Sequence, residues 1–165
     1  MKLLRGVCLL GALLLAAVGS VFAGDATPFY ATTVDGLDGK PLVLEQYRGK
    51  AVIVNFWARW CPPCRKEIPE LIQLQNEYGK RGLVVLGLAI EEDAAAVKEF
   101  AKAYEINYTV GVDKKKGLWL MQSLGNGVSG LPFTLIIGKD GQIVQRKIGQ
   151  FTRKDFDAVA DTLLK

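Results

Sequence analysis

The chain has 165 residues, half of them hydrophobic, with 21 basic and 17 acidic side chains giving a net charge of +4. That length suits one domain with a substantial core plus a terminal segment, and basic residues this scattered argue against a nucleic-acid surface. Histidine is absent and cysteine occurs only three times, which removes the ligands that most structural metal sites need.

The first 23 residues read as an export signal. Lys2 and Arg5 form a positive start, residues 6–18 ("GVCLLGALLLAAV") an apolar stretch, and "VFA" (residues 21–23) ends in the small residue a signal peptidase selects. Cleavage after Ala23 leaves a domain over 24–165. The competing expectation is an uncleaved N-terminal anchor, because residues 6–23 are uncharged and nearly long enough to span a bilayer. Both place the domain outside the cytoplasm, in a periplasmic or otherwise extracytoplasmic space. Cys8 lies within the apolar stretch, so the domain itself holds only Cys61 and Cys64.

After a short leader to Tyr30, "TTVDGLDGKPLVLEQYRGK" (residues 32–50) carries Asp-Gly pairs and an alternating "PLVL", which predict a small β-hairpin. "AVIVNFW" (residues 51–57) is an apolar run of the kind buried on both faces of a sheet. A helix is predicted from Pro62 to about Tyr78, with Ile68, Leu71, Ile72 and Leu74 inward. Proline at its first position costs nothing, whereas Pro69 is expected to kink it. "LVVLGLAI" (residues 83–90) predicts a second buried strand. Val97, Phe100, Ala101 and Tyr104 mark the next helix, residues 108–113 a short strand, and residues 117–124 a short helix begun by the solvated "KKK" of residues 114–116. "FTLIIGKDGQIVQRKIG" reads as a hairpin turning at Asp140-Gly141, and Phe156, Val159, Ala160, Leu163 and Leu164 face one side of a last helix. Strands alternating with helices and closed by a hairpin predict an α/β domain with a mixed sheet.

The chemistry is concentrated in "NFWARWCPPCRKEIP" (residues 55–69). A zinc site lacks its remaining ligands. A structural bridge closing four residues would return about 2 kcal/mol at most, since loop-closure entropy grows with loop length. A reactive dithiol is the stronger reading. Cys61 falls just before the helix that Pro62 begins, where unpaired N–H groups and the helix dipole favour a thiolate over the ordinary thiol pKa of about 8.5. It is expected to be the more exposed nucleophile, with Cys64 one turn on as the resolving thiol.

This segment resembles the active site of the thioredoxin superfamily: a buried strand, W-C-x-x-C, then a proline eight residues after the first cysteine, here Pro69. "GVSGLPFTLIIGKDG" (residues 127–141) resembles that family's cis-proline loop, which would place Pro132 opposite the dithiol. The backbone of Leu131 would then bind an extended peptide, alongside Trp60, Pro62 and Pro63. The signal, the N-terminal hairpin, the Pro-Pro dipeptide and a central helix-strand insertion (residues 93–113) narrow the resemblance to TlpA/ResA-like thiol-disulfide reductases. It implies a thioredoxin-like mixed sheet flanked by helices. It further implies disulfide-containing exported clients, apocytochromes c among them, and electrons from a membrane thiol carrier. The only redox group would be the Cys61–Cys64 disulfide, with no metal and no other cofactor.

Two positions depart from the pattern. Thioredoxin has a buried Asp where this chain has Asn55, so a buried base must come from elsewhere. The resemblance points to Glu92, against the plainer reading that Glu91, Glu92 and Asp93 decorate a helix start. Phe133 replaces the small polar residue common after the cis-proline and either narrows the groove or packs beneath it. Trp60 is expected to line the groove and Trp57 to join the core. Three alternatives stand beside a reductase. A disulfide-donating oxidant usually carries His within C-x-x-C, where Pro63 stands. The peroxidase pattern P-x-x-x-[ST]-x-x-C fits neither cysteine register, and a copper-site assembly factor would want the missing His.

Overall fold

Seven consecutive buried residues, Ala51–Trp57, form a strand (β4) whose neighbours on both sides are equally apolar. It pairs in parallel with β5 (Leu83–Ala89) and antiparallel with β7 (Phe133–Ile137). The computed structural model describes residues 24–164, so the expected export signal or anchor lies outside the described residues. No helix among the described residues is long and apolar enough to cross a membrane.

The remaining strands are β1 (Gly24–Asp25), β2 (Thr33–Gly36), β3 (Pro41–Val43), β6 (Thr109–Val112) and β8 (Gln142–Ile148). Together they make one eight-stranded mixed sheet in the order β1-β8-β7-β4-β5-β6-β2-β3. The hairpins expected before the domain (β2–β3) and at its end (β7–β8) both form, the second turning at Gly141 with φ +80°. That left-handed conformation is one glycine adopts without a side-chain penalty.

Alternation along β4 divides the core in two. Ala51, Ile53 and Trp57 face a cluster under α2 (Pro62–Tyr78), α3 (Ala94–Ala103) and α5 (Arg153–Leu163). Val52, Val54 and Phe56 face a second cluster under α1 (Thr27–Tyr30) and α4 (Lys114–Ser123). Each fully buried Leu, Ile or Phe contributes roughly 1.5–3 kcal/mol by leaving water.

Two local differences from the sequence reading have plain causes. The leader is not irregular: Phe29 and Tyr30 are buried from the single turn α1, which is too short to show a helical period. Helix α4 covers Lys114–Ser123 rather than 117–124, taking the lysine run into its first turn as expected, because Asp113 caps it by accepting the Lys116 N–H at 2.8 Å. Helix α2 spans the expected range and continues past Pro69.

At Gly111 on β6 the sheet is closely packed. A Cβ there would lie 2.6 Å from Val34 Cγ2 and 3.0 Å from Leu88 Cδ2. Gly111→Ala is therefore expected to cost about 1–3 kcal/mol by overpacking. Denaturant unfolding at constant m-value would check this.

Candidate active site

The site is built at the carboxyl end of β4, where the chain leaves the sheet and enters α2. Cys61 is the N-cap of that 17-residue helix, with extended backbone angles, and its Sγ accepts the Cys64 N–H at 3.3 Å. Pro62 supplies the first helical residue without an N–H left to satisfy. The two sulfurs are joined as a disulfide. Cys61 is 3% exposed and Cys64 fully buried, so the expected order of exposure holds but the nucleophile is far less open than the sequence reading supposed. The neighbouring Pro62 and Pro63 are exposed.

Beside the dithiol lies a groove of about 400 Å³ lined by Trp60, Ile90, Leu118 and Leu131, with Glu92 and Lys114 among its polar residues. Trp60 is 68% exposed, whereas Trp57 is buried with its ring 5.3 Å from that of Phe100. The Leu131–Pro132 peptide is cis, and Leu131 packs on the same cluster as Cys61 and Cys64. Phe133 does not enter the groove. It is fully buried in the second core, stacked on Phe56 at 5.5 Å.

The loop holding Pro132 is tied from both sides. The Pro132 carbonyl accepts the Gly149 N–H at 2.8 Å. Asn126, fully buried, donates to the Gly130 carbonyl at 2.8 Å and accepts the Gly130 N–H at 3.2 Å. Nothing in the sequence pattern singles out Asn126. Asn126→Ala would leave both Gly130 groups unpaired, at a cost of about 1–3 kcal/mol. A loosened loop should raise KM for a peptide disulfide more than it lowers kcat, and steady-state kinetics would separate the two.

Glu92 requires a correction. Its side chain is 79% exposed and paired with Lys114 at 3.3 Å, so it sits on the groove rim and is not the buried base sought beneath the dithiol. The chain has left β5 by this point, and the buried acid is its neighbour. Glu91 accepts the Arg59 backbone N–H at 2.6 Å and pairs with the Arg59 guanidinium at 2.7 Å, fixing the segment just before Cys61. Asp93 caps α3 through the Ala96 N–H at 2.9 Å.

The buried acid on the dithiol's own helix is Glu67, three residues after Cys64 and therefore on the same face of α2. It is fully buried. One carboxylate oxygen accepts from Asn55 Nδ2 and the other from the Phe151 N–H, both at 2.6 Å. Burial pushes its pKa up from 4.5 to about 7; the two hydrogen bonds oppose that rise and the nearby Asp155 adds to it. Asn55, standing where thioredoxin has a buried Asp, thus serves as a donor to the acid. Its Nδ2 also reaches Thr134 Oγ1 at 3.0 Å. The sequence does carry a signal for Glu67: it interrupts the apolar stripe Cys64, Ile68, Leu71, Leu74 of α2.

Comparison with known proteins gives the family and the fold. The family model described as Redoxin matches residues 22–164. The thiol-disulfide oxidoreductase ResA of a Bacillus cereus strain is 34% identical over 134 residues, covering 81% of this chain and 74% of that protein. ResA of Geobacillus thermodenitrificans is 32% identical over 162 residues, covering 92% and 90%. The crystal structure of a thiol:disulfide interchange protein of the thioredoxin family from Chlorobium tepidum TLS superposes with a TM-score of 0.72 at 32% identity, covering 81% of this chain and 93% of that one. The sheet and its flanking helices are accordingly thioredoxin-like.

Proposed function

Because this chain belongs to the redoxin family and is a thiol-disulfide oxidoreductase, we propose that it works outside the cytoplasm as a reductase of disulfides in exported proteins. Apocytochromes c before haem attachment are among its clients in this reading, and a membrane thiol carrier returns its electrons. The likeness to TlpA/ResA-like reductases and the export signal read in residues 1–23 support that setting. The observation that carries the chemistry is Cys61 at the N-cap of α2 with the Cys64 N–H on its sulfur.

In the reduced protein, the helix dipole and that N–H stabilise a Cys61 thiolate. A client segment lies in the groove against Trp60 and the Leu131 backbone, placing its disulfide at Cys61. The thiolate attacks one client sulfur; a Cys61–client bond forms and the client's own S–S bond breaks, releasing its other sulfur as a thiolate. Cys64 then gives its proton to the Glu67 carboxylate, and its thiolate attacks the Cys61 sulfur. The Cys61–Cys64 disulfide forms, the mixed disulfide breaks, and the client departs with both cysteines reduced. Two electrons have passed to the client. With a pKa of about 7, Glu67 is balanced to accept and return that proton near neutral pH.

Direction is tested by equilibrating the domain against glutathione buffers and by insulin reduction. A midpoint near the thioredoxin value of about −270 mV supports a reductase, and one near the DsbA value of about −120 mV would reverse the assignment.

A further inference from the structure

The loop that leads into Pro132 holds one residue in a backbone conformation it does not favour. Ser129 has φ +51°, in the left-handed region where a Cβ is crowded and glycine is the usual occupant. Glycines stand close by at 127 and 130, yet neither adopts a positive φ. The chain therefore keeps a side chain at the position where having none would cost least. Strain of this kind gathers where a side chain is used in binding or chemistry.

That side chain lies in the groove beside the dithiol. Ser129 is half-buried and lines it together with Trp60, Leu118 and Leu131. Gln122, exposed near the end of α4, donates from Nε2 to Ser129 Oγ at 3.3 Å. Accepting that bond leaves the hydroxyl hydrogen for another acceptor. The main chain around it is already committed. The Ser129 N–H donates to the Asn126 carbonyl at 3.1 Å, and the Asn126 side chain holds both polar groups of Gly130. A client main chain paired with Leu131 thus meets no backbone donor from the two residues before it. A covered carbonyl left without a donor weakens binding, and the Ser129 hydroxyl is the donor this loop presents.

We propose that Ser129 binds the client: its hydroxyl donates to a main-chain carbonyl of the segment that pairs with Leu131, and so fixes that segment's register over Cys61. This rests on the dithiol chemistry above but not on its direction. The ligand it recognises is an extended polypeptide, because the acceptor is a peptide carbonyl that a small organic disulfide lacks. The left-handed turn sets the hydroxyl on the groove while Asn126 keeps Gly130 in place. A conformation that burdens the fold thereby serves recognition.

The test compares Ser129→Gly and Ser129→Ala with the parent, each as the reduced full chain, on two substrates. One is a short peptide disulfide and the other hydroxyethyl disulfide, and the ratio of their second-order rate constants is read. Both variants are expected to lower the peptide-to-small-disulfide ratio about fivefold, the effect of one side-chain hydrogen bond. Ser129→Gly is expected to melt no lower than the parent, because the left-handed strain is relieved. An unchanged ratio in both variants overturns the proposal. So does a fall confined to one of them, which would trace the effect to the backbone rather than the hydroxyl. Ser129→Gly melting below the parent would mean that the serine serves the loop itself, and overturns it as well. A parent that exchanges with neither disulfide would bring down the dithiol reading and this inference together, a result distinct from those above.

Discussion

Cys64→Ser is expected to leave Cys61 covalently joined to whatever it attacks, while turnover with insulin falls to background. The first bond exchange needs only the Cys61 thiolate, which the N-terminus of α2 still supports through the residue-64 N–H. The second needs a thiolate at position 64, and a serine hydroxyl does not replace it. Adducts recovered from an exported fraction would therefore name the clients. If apocytochromes c were missing among them, that part of the reading would fall without touching disulfide reduction. Cys61→Ser should remove both adducts and turnover. Adducts forming at an undiminished rate in that variant would mean that the roles of the two cysteines are reversed.

The second large effect belongs to Glu67. Its native pKa is about 7 against an ordinary 4.5, so between those values the folded protein holds more protons than the unfolded chain. Stability should then be highest below about pH 4.5 as far as this group is concerned, and be lost as pH rises through about 7. The difference corresponds to roughly 3 kcal/mol. Glu67→Gln removes the charged state. The variant should match the parent near pH 4.5, exceed it by up to about 3 kcal/mol above pH 8, and lose this part of the pH slope. Asn55 Oδ1, without a partner among the described residues, accepts from the new amide after the Asn55 amide rotates. Function should move the other way. With no carboxylate at position 67 to take the Cys64 proton in the proposed mechanism, resolution of the mixed disulfide is expected to slow about a hundredfold, and the mixed disulfide to accumulate. Denaturant titrations from about pH 4.5 to 8.5, together with quenched single-turnover kinetics, would check both halves. Equal pH slopes for variant and parent would place the buried proton elsewhere.

The two acids contrasted at this site show how local patterns differ from tertiary placement. Glu92 follows a well-marked strand and precedes a well-marked helix, and resemblance made it the candidate base. Its side chain faces solvent and Lys114. Glu67 lies on α2, whose start, length and inner face were all legible, yet its role was not. Burial raises its pKa, and the groups that hold its carboxylate in the core are Asn55, twelve residues earlier, and the Phe151 N–H, eighty-four residues later. Asn126 is similar: a polar residue in an irregular loop becomes a clamp only where Gly130 returns to meet it.

By itself, the sequence determined the order and type of the main elements and the identity of the reacting thiols, because these follow from short-range physics. An unbroken apolar run must be buried as strand, a proline opens a helix, and a cysteine at that opening meets the dipole. Only the tertiary structure decided which acid is buried, how little of Cys61 is exposed, and where Phe133 packs. Burial of a charge depends on partners distant in the chain, and a pKa is the sum of those partners, which no local spacing records.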